Sequence, residues 1–209
     1  MILSMLFQFV VLALAITTHE FAHGWVAYKL GDPTAKYAGR LTFNPLAHIE
    51  LFGTIILPIT MVMLKLPPIG WAKPVPINFQ SLRNPKRDML WVGIAGPGAN
   101  FLIALLLSLL LRIPQIREIA FFMQLLTLGI FMNLILAIFN LIPIPPLDGS
   151  RIIASLLPWR YMFIYNRIEP YGFFIIIGLL WLGVLRTLIL PLVIKLAMLL
   201  DVVNLTGVL

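Results

Sequence analysis

Residues 15–25 read AITTHEFAHGW and lie in an apolar run that opens the chain. Within them His19, Glu20 and His23 form an H-E-x-x-H pattern near the end of residues 2–28, a stretch long enough to cross a bilayer as one helix. Ionisable side chains in hydrocarbon are expensive and mark function by default. On a helix, positions i and i+4 share a face, so two imidazoles can grip one ion. Zinc suits imidazole and needs no redox partner. Glu20, beside the first ligand, is placed to take a proton from a water that the metal acidifies. The alternative is two histidines satisfied by backbone carbonyls, with the glutamate packed nearby. It is the weaker reading inside an apolar helix.

The composition sets the context of that helix. Of 209 residues 61% are apolar and 11% charged, and the mean hydropathy is +1.01. Soluble domains carry about 25% charged residues. The expectation is an all-α polytopic membrane protein forming a single domain over residues 1–209. The formal charge of +7 reads as Lys and Arg in loops beside the spans, where they set orientation, and not as a nucleic-acid surface. The absence of cysteine removes disulfides, thiolate zinc sites and cysteine nucleophiles together. The first sixteen residues resemble the apolar region of a signal peptide but have no basic n-region and no small-residue cleavage site, so they read as a retained first span.

Residues 88–112 and 119–142 are further spans. Residues 171–207 exceed one span, and Arg186 and Pro191 suggest a break, giving helices near 171–186 and 188–206. Residues 51–64 barely span, and Gly53 and Pro58 interrupt them. Both flanks are basic (Lys29, Lys36 and Arg40 before; Lys65, Lys73, Arg83, Lys86 and Arg87 after), which favours a re-entrant or surface segment on the cytoplasmic side over a thin full span. Segments 36–48 and 69–79 read as short extended strands over the cytoplasmic mouth. The total is about five to six transmembrane helices with a short β-strand/re-entrant region.

A catalytic zinc site takes a third protein ligand and keeps one position open. The candidates are His48 and the seven acids other than Glu20: Glu118 falls on the external side, Asp201 stands alone in the last helix, and Asp88 groups with Arg83, Lys86 and Arg87. Asp148 stands out in the tract from Asn140 to Gly149, NLIPIPPLDG. Pro143, Pro145 and Pro146 cannot continue a helix, and Gly149 lets the backbone turn. Irregular backbone at membrane depth persists only around protein or a watery cavity, and hydrolysis needs such a cavity. Glu169 as third ligand of another membrane zincin, and a metal-binding protein without catalysis, are the rival readings.

H-E-x-x-H in an early span, paired with the late L-D-G tract, resembles the site-2 proteases, intramembrane zinc metalloproteases. GRLTFNPLAHIELFGTIILP, GWAKPVPINF and RNPKRDMLWVGIAGPGANFLIA are similar to the compact bacterial branch without a PDZ domain, over residues 10–155. The resemblance implies one Zn2+ per chain held by His19, His23 and Asp148, with Glu20 as general base and Asn140 at the substrate or the active-site water network. It implies a catalytic core over about 1–155, with C-terminal helices over 171–207. Single-pass membrane proteins would be the substrates, cut in regulated intramembrane proteolysis in the inner (plasma) membrane, with the active site near the cytoplasmic side. The lipid bilayer is the other partner, and self-association stays open. Ala95, Gly96, Gly98 and Ala99 offer a small-residue surface for close helix approach, and Asn100 a polar bridge between helices.

Overall fold

A computed structural model describes residues 2–63 and 72–207. The first helix, α1 (Ile2–Lys29), carries the H-E-x-x-H pattern in one continuous stretch. A short helix α2 (Thr34–Tyr37), a 3-10 turn (Pro45–His48) and a π-helical turn (Leu51–Ile56) running into α3 (Leu57–Met63) follow. Then come α4 (Pro85–Leu111), α5 (Pro114–Glu118) and α6 (Ala120–Asn140). The chain closes with α7 (Asp148–Leu156), α8 (Trp159–Asn166), α9 (Glu169–Trp181), α10 (Val184–Leu199) and α11 (Val202–Thr206).

Three helices, α1, α4 and α6, are long and apolar enough to cross a membrane; the bent pair α8 and α9 makes a fourth if it counts as one broken span. Each of the three packs on the other two, and α7 leans on α4 while α10 lies along α6. Ala104, Leu111, Leu126, Ile130, Leu134, Val193, Ala197 and Val202 form the buried apolar core between α4, α6, α10 and α11. Large apolar side chains such as Leu105, Leu109, Phe121 and Phe174 are exposed.

Two expectations change. Among the described residues no strand is assigned. The 36–48 region is α2 and a 3-10 turn joined by bends, while residues 72–78 have no assigned helix or strand. Pro74 and Pro76 carry no N–H and cannot donate to a ladder. Lys65 and residues 69–71 lie outside the described residues. The C-terminal break falls at Gly183 and not at 186–188: Gly183 takes φ +70, a left-handed conformation that costs glycine little. Arg186 and Pro191 sit within α10.

The strap 72–78 is tied down at both ends. Arg40 Nη2 donates to the Lys73 and Pro74 carbonyls at 2.7 and 3.3 Å, and Lys73 N–H donates to the His48 carbonyl at 2.9 Å. At the far end Asp32, fully buried, accepts the Asn78 N–H at 2.7 Å and the Thr34 N–H at 3.0 Å. It also accepts the Thr34 hydroxyl. These bonds satisfy a carboxylate that would otherwise be costly to bury.

Candidate metal centre and active site

The helical rise places His19 and His23 on one face of α1, with their rings edge to face at a centroid distance of 4.7 Å. Asp148 reaches the same point from the first turn of α7. Its Oδ2 lies 3.0 Å from His19 Nε2 and 3.2 Å from His23 Nε2, and the two Nε2 atoms are 3.0 Å apart. Both histidines are buried.

The outer nitrogens decide what the inner ones can do. His23 Nδ1 lies 2.7 Å from the Val92 carbonyl, which only accepts, so Nδ1 carries the proton. His19 Nδ1 lies 2.5 Å from Asn100 Oδ1. The carboxamide of Asn100 is oriented by its other end, whose Nδ2 donates to the Ala15 carbonyl at 3.1 Å and to Asn133 Oδ1 at 2.7 Å. In neutral imidazole the second nitrogen is then a lone pair. Three lone-pair atoms, two imidazole nitrogens and a carboxylate oxygen, therefore converge with no donor among them. That arrangement calls for a cation. The donor set, two nitrogens and one oxygen with both rings braced from outside, suits zinc. Among the described residues His19, His23 and Asp148 are the group whose ligand atoms all lie within 4.8 Å of one another.

A cavity of about 310 Å³ opens on this point. His19, Glu20, His23 and Asp148 line it together with Asn140, the strap residues Val75 and Ile77, and Arg151. Glu20 Oε2 accepts the Val75 N–H at 2.8 Å. Asn140 shares the cavity, and its Nδ2 donates to the Leu136 carbonyl at 2.9 Å in its own helix.

Asp148 arrives here through the proline tract. After α6 the chain makes tight turns, Ile142 N–H to the Phe139 carbonyl and Leu147 N–H to the Ile144 carbonyl at 3.2 and 3.0 Å. The helix α7 then starts at once. Gly149 is helical, and what it supplies is close approach: a Cβ there would collide with the Leu141 and Ile142 carbonyls.

Other candidates fall elsewhere. His48 is buried in the loop beneath the strap, its Nε2 donating to the Thr42 carbonyl at 3.1 Å. Glu169 pairs with Arg151 at 2.7 Å and is not in the convergent group. Asp88 is buried and accepts the Asn84 N–H at 2.8 Å at the start of α4. Of the small-residue surface on α4, Gly96 matters most: a Cβ there would lie 2.6 Å from His19 Nε2 and nearer still to His23 Nε2. Gly98, by contrast, is exposed. Sequence reading missed Asn133 and Val75. A polar residue in mid-span was the available sign for Asn133; Val75 contributes only its backbone.

The model of peptidase family M50 matches residues 7–116 and 111–183. YwhC of Bacillus subtilis, named as a candidate zinc metalloprotease, is 38% identical over 177 residues, covering 81% of this chain and 78% of that one. Rip2 of Mycolicibacterium smegmatis, named in the same way, is 29% identical over 80% of this chain and 63% of its own. The zinc metalloprotease MJ0392 of Methanocaldococcus jannaschii is 28% identical over 73% of this chain and 35% of its own length. No solved structure matches the chain. The aligned stretches include both the H-E-x-x-H helix and the segment that brings Asp148 to it, and the chain belongs to peptidase family M50, the site-2 protease family of zinc metalloproteases.

Proposed function

We propose that His19, His23 and Asp148 hold one zinc ion and that Glu20 is the base that hydrolyses a peptide bond within or near a transmembrane segment. The observation that carries this reading is the meeting of three lone-pair atoms, 3.0–3.2 Å apart, beside a carboxylate in one cavity. Zinc, when bound, supplies Lewis acidity that polarises a carbonyl and acidifies water. Glu20 takes the proton from the attacking water and hands it to the departing amine. Asn140, on the cavity wall, binds the substrate backbone or orders the water.

Peptide bonds inside a helix are shielded by their own hydrogen bonds, so the substrate must be unwound at the cavity. The strap at 72–78, which has no assigned helix or strand and is unpaired with any strand among the described residues, is suited to receive an unwound segment as an added strand. Single-pass membrane proteins are the substrate class, cut in regulated intramembrane proteolysis in the inner (plasma) membrane. The basic residues flanking the spans favour a site near the cytoplasmic face, where α1 and α6 end. With α9 and α10 as short crossings and α3 as a re-entrant element the count of spans is five, and it is six if α3 crosses fully. In this single domain residues 1–155 form the catalytic core, and the helices over 171–207 control lateral access.

The test pairs two variants in purified protein. Glu20→Gln is expected to keep zinc and lose cleavage of a membrane-protein reporter, whereas Asp148→Ala loses zinc. A Glu20→Gln protein that cleaves as before removes the proposed base. An Asp148→Ala protein that keeps full zinc, with Glu169→Ala losing it, transfers the third ligand to Glu169.

A further inference from the structure

We propose that Asn133, which does not line the cavity, sets the metal affinity of the site by holding Asn100 in the one orientation that leaves a lone pair on His19 Nε2. This rests on the zinc reading above. It concerns a residue behind the ligands and not the ligands themselves.

A chain of hydrogen bonds crosses the three long helices. On α6, Asn133 Nδ2 donates to the Gly129 carbonyl at 2.8 Å, which leaves Oδ1 facing α4. Asn133 Oδ1 accepts from Asn100 Nδ2 at 2.7 Å. Asn100 Oδ1 then accepts from His19 Nδ1 on α1. Both asparagines are buried, Asn100 fully, so no water is at hand to substitute for a missing partner.

The direction of this chain has a chemical consequence. A carboxamide can rotate by half a turn with little change of shape. Were Asn100 reversed, its NH2 group would face His19 Nδ1. That nitrogen would have to offer a lone pair, the ring proton would move to Nε2, and His19 could no longer ligate. Asn133 opposes the reversal, because its Oδ1 needs an N–H from Asn100. The Ala15 carbonyl opposes it less firmly: it lies farther off, at 3.1 Å, and already accepts the Thr18 hydroxyl at 2.9 Å. Asn133 is in turn fixed by the Gly129 carbonyl, which can only accept. The polarity thus runs from a backbone carbonyl on α6 to the ring nitrogen at the metal centre.

The test uses the full chain in detergent, with zinc and cobalt(II) ions as probes. Asn133→Leu removes the acceptor at nearly constant volume. Its zinc dissociation constant, measured by competition with a chelator, is expected to rise about 10- to 100-fold, as for other partners of metal-bound histidines. The cobalt(II) absorption spectrum is expected to change shape with it. Asn133→Asp keeps an acceptor for Asn100 in either charge state, and when protonated its hydroxyl replaces the bond to Gly129. It is expected to retain parental zinc affinity and the parental cobalt spectrum. In an Asn100→Ala background, Asn133→Leu is expected to have no further effect on zinc affinity. Parental zinc affinity and spectrum in Asn133→Leu overturn the proposal, as does weakened zinc binding in a folded Asn133→Asp protein. If Asn133→Leu does not fold, Asn133→Asp decides alone, because weakened zinc binding or an altered cobalt spectrum in that isosteric, folded protein overturns the proposal. Retention of zinc by His19→Ala and Asp148→Ala would instead sink the zinc reading itself, which separates the two failures.

Discussion

The backbone N–H of Val75 donates to Glu20 Oε2 at 2.8 Å, joining the strap to the H-E-x-x-H helix. Pro74 and Pro76 on either side carry no N–H, so this part of the strap has one donor to give, and it goes to the proposed base. A donor on one carboxylate oxygen fixes the orientation of the group. The side chain of Val75 is buried and packs over Gly24, which holds the amide in place.

Val75→Pro deletes that donor. A hydrogen bond to a charged group contributes about 1.5–3 kcal/mol, so kcat is expected to fall by about 10- to 150-fold. Zinc content should not change. Metal analysis and a cleavage assay on the same preparation check this. Zinc lost along with activity would mean that the strap supports the ligands and not the base.

Gly96→Ala puts a methyl group against the His19 and His23 rings, 2.6 Å from His19 Nε2. Neither ring can retreat without breaking its outer hydrogen bond to Asn100 or to the Val92 carbonyl. The expected outcome is zinc binding weaker by at least about tenfold, with a loss of stability of about 1–3 kcal/mol from overpacking. Titration with zinc against a chelator reads the first effect, and thermal unfolding in detergent the second. Gly98→Ala, on an exposed face, is the control and should leave both unchanged.

Zinc removal should cost stability in the parent and not in Asp148→Ala. With free zinc at one hundred times the dissociation constant, linkage gives about 2.7 kcal/mol. Unfolding of the parent with and without a chelator measures it. A zinc-dependent shift that persists at full size in Asp148→Ala would show that the carboxylate is not a ligand.

Asp32→Ala removes the acceptor of the part-buried N–H groups of Asn78 and Thr34. A hydrogen bond to a charged group contributes about 1.5–3 kcal/mol. The strap should loosen at its far end, so the expected result is a less stable protein with slower cleavage and full zinc content. Proteolysis at residues 72–78 is expected to speed up, and an unchanged digestion rate would argue against Asp32 as the anchor.

Glu169→Gln breaks the pair with Arg151. Both side chains are partly exposed, and screening limits such a pair to below about 1 kcal/mol. Zinc content and stability should stay near parental values. Loss of zinc would revive Glu169 as a ligand.

The sequence carried the membrane class, the three long helices and the pair His19 and His23, because each depends on a short-range regularity. Apolar runs of a given length make spans, and the helix repeat alone puts i and i+4 on one face. It also singled out Asp148, through prolines that stop α6. What the tertiary structure decided was every relation across long separations. Three spans packed together put Gly96 against both rings, Asn100 and Asn133 behind His19, and the Val75 amide on Glu20. Residues 69–79 looked like a strand from their composition, yet the described part at 72–78 bonds to side chains of α1 and the following loop. The turn at Gly183 displaced a break that charge and proline had suggested further on. These contacts depend on how close two helices come and on which way a carboxamide faces, and a local pattern of residue types encodes neither.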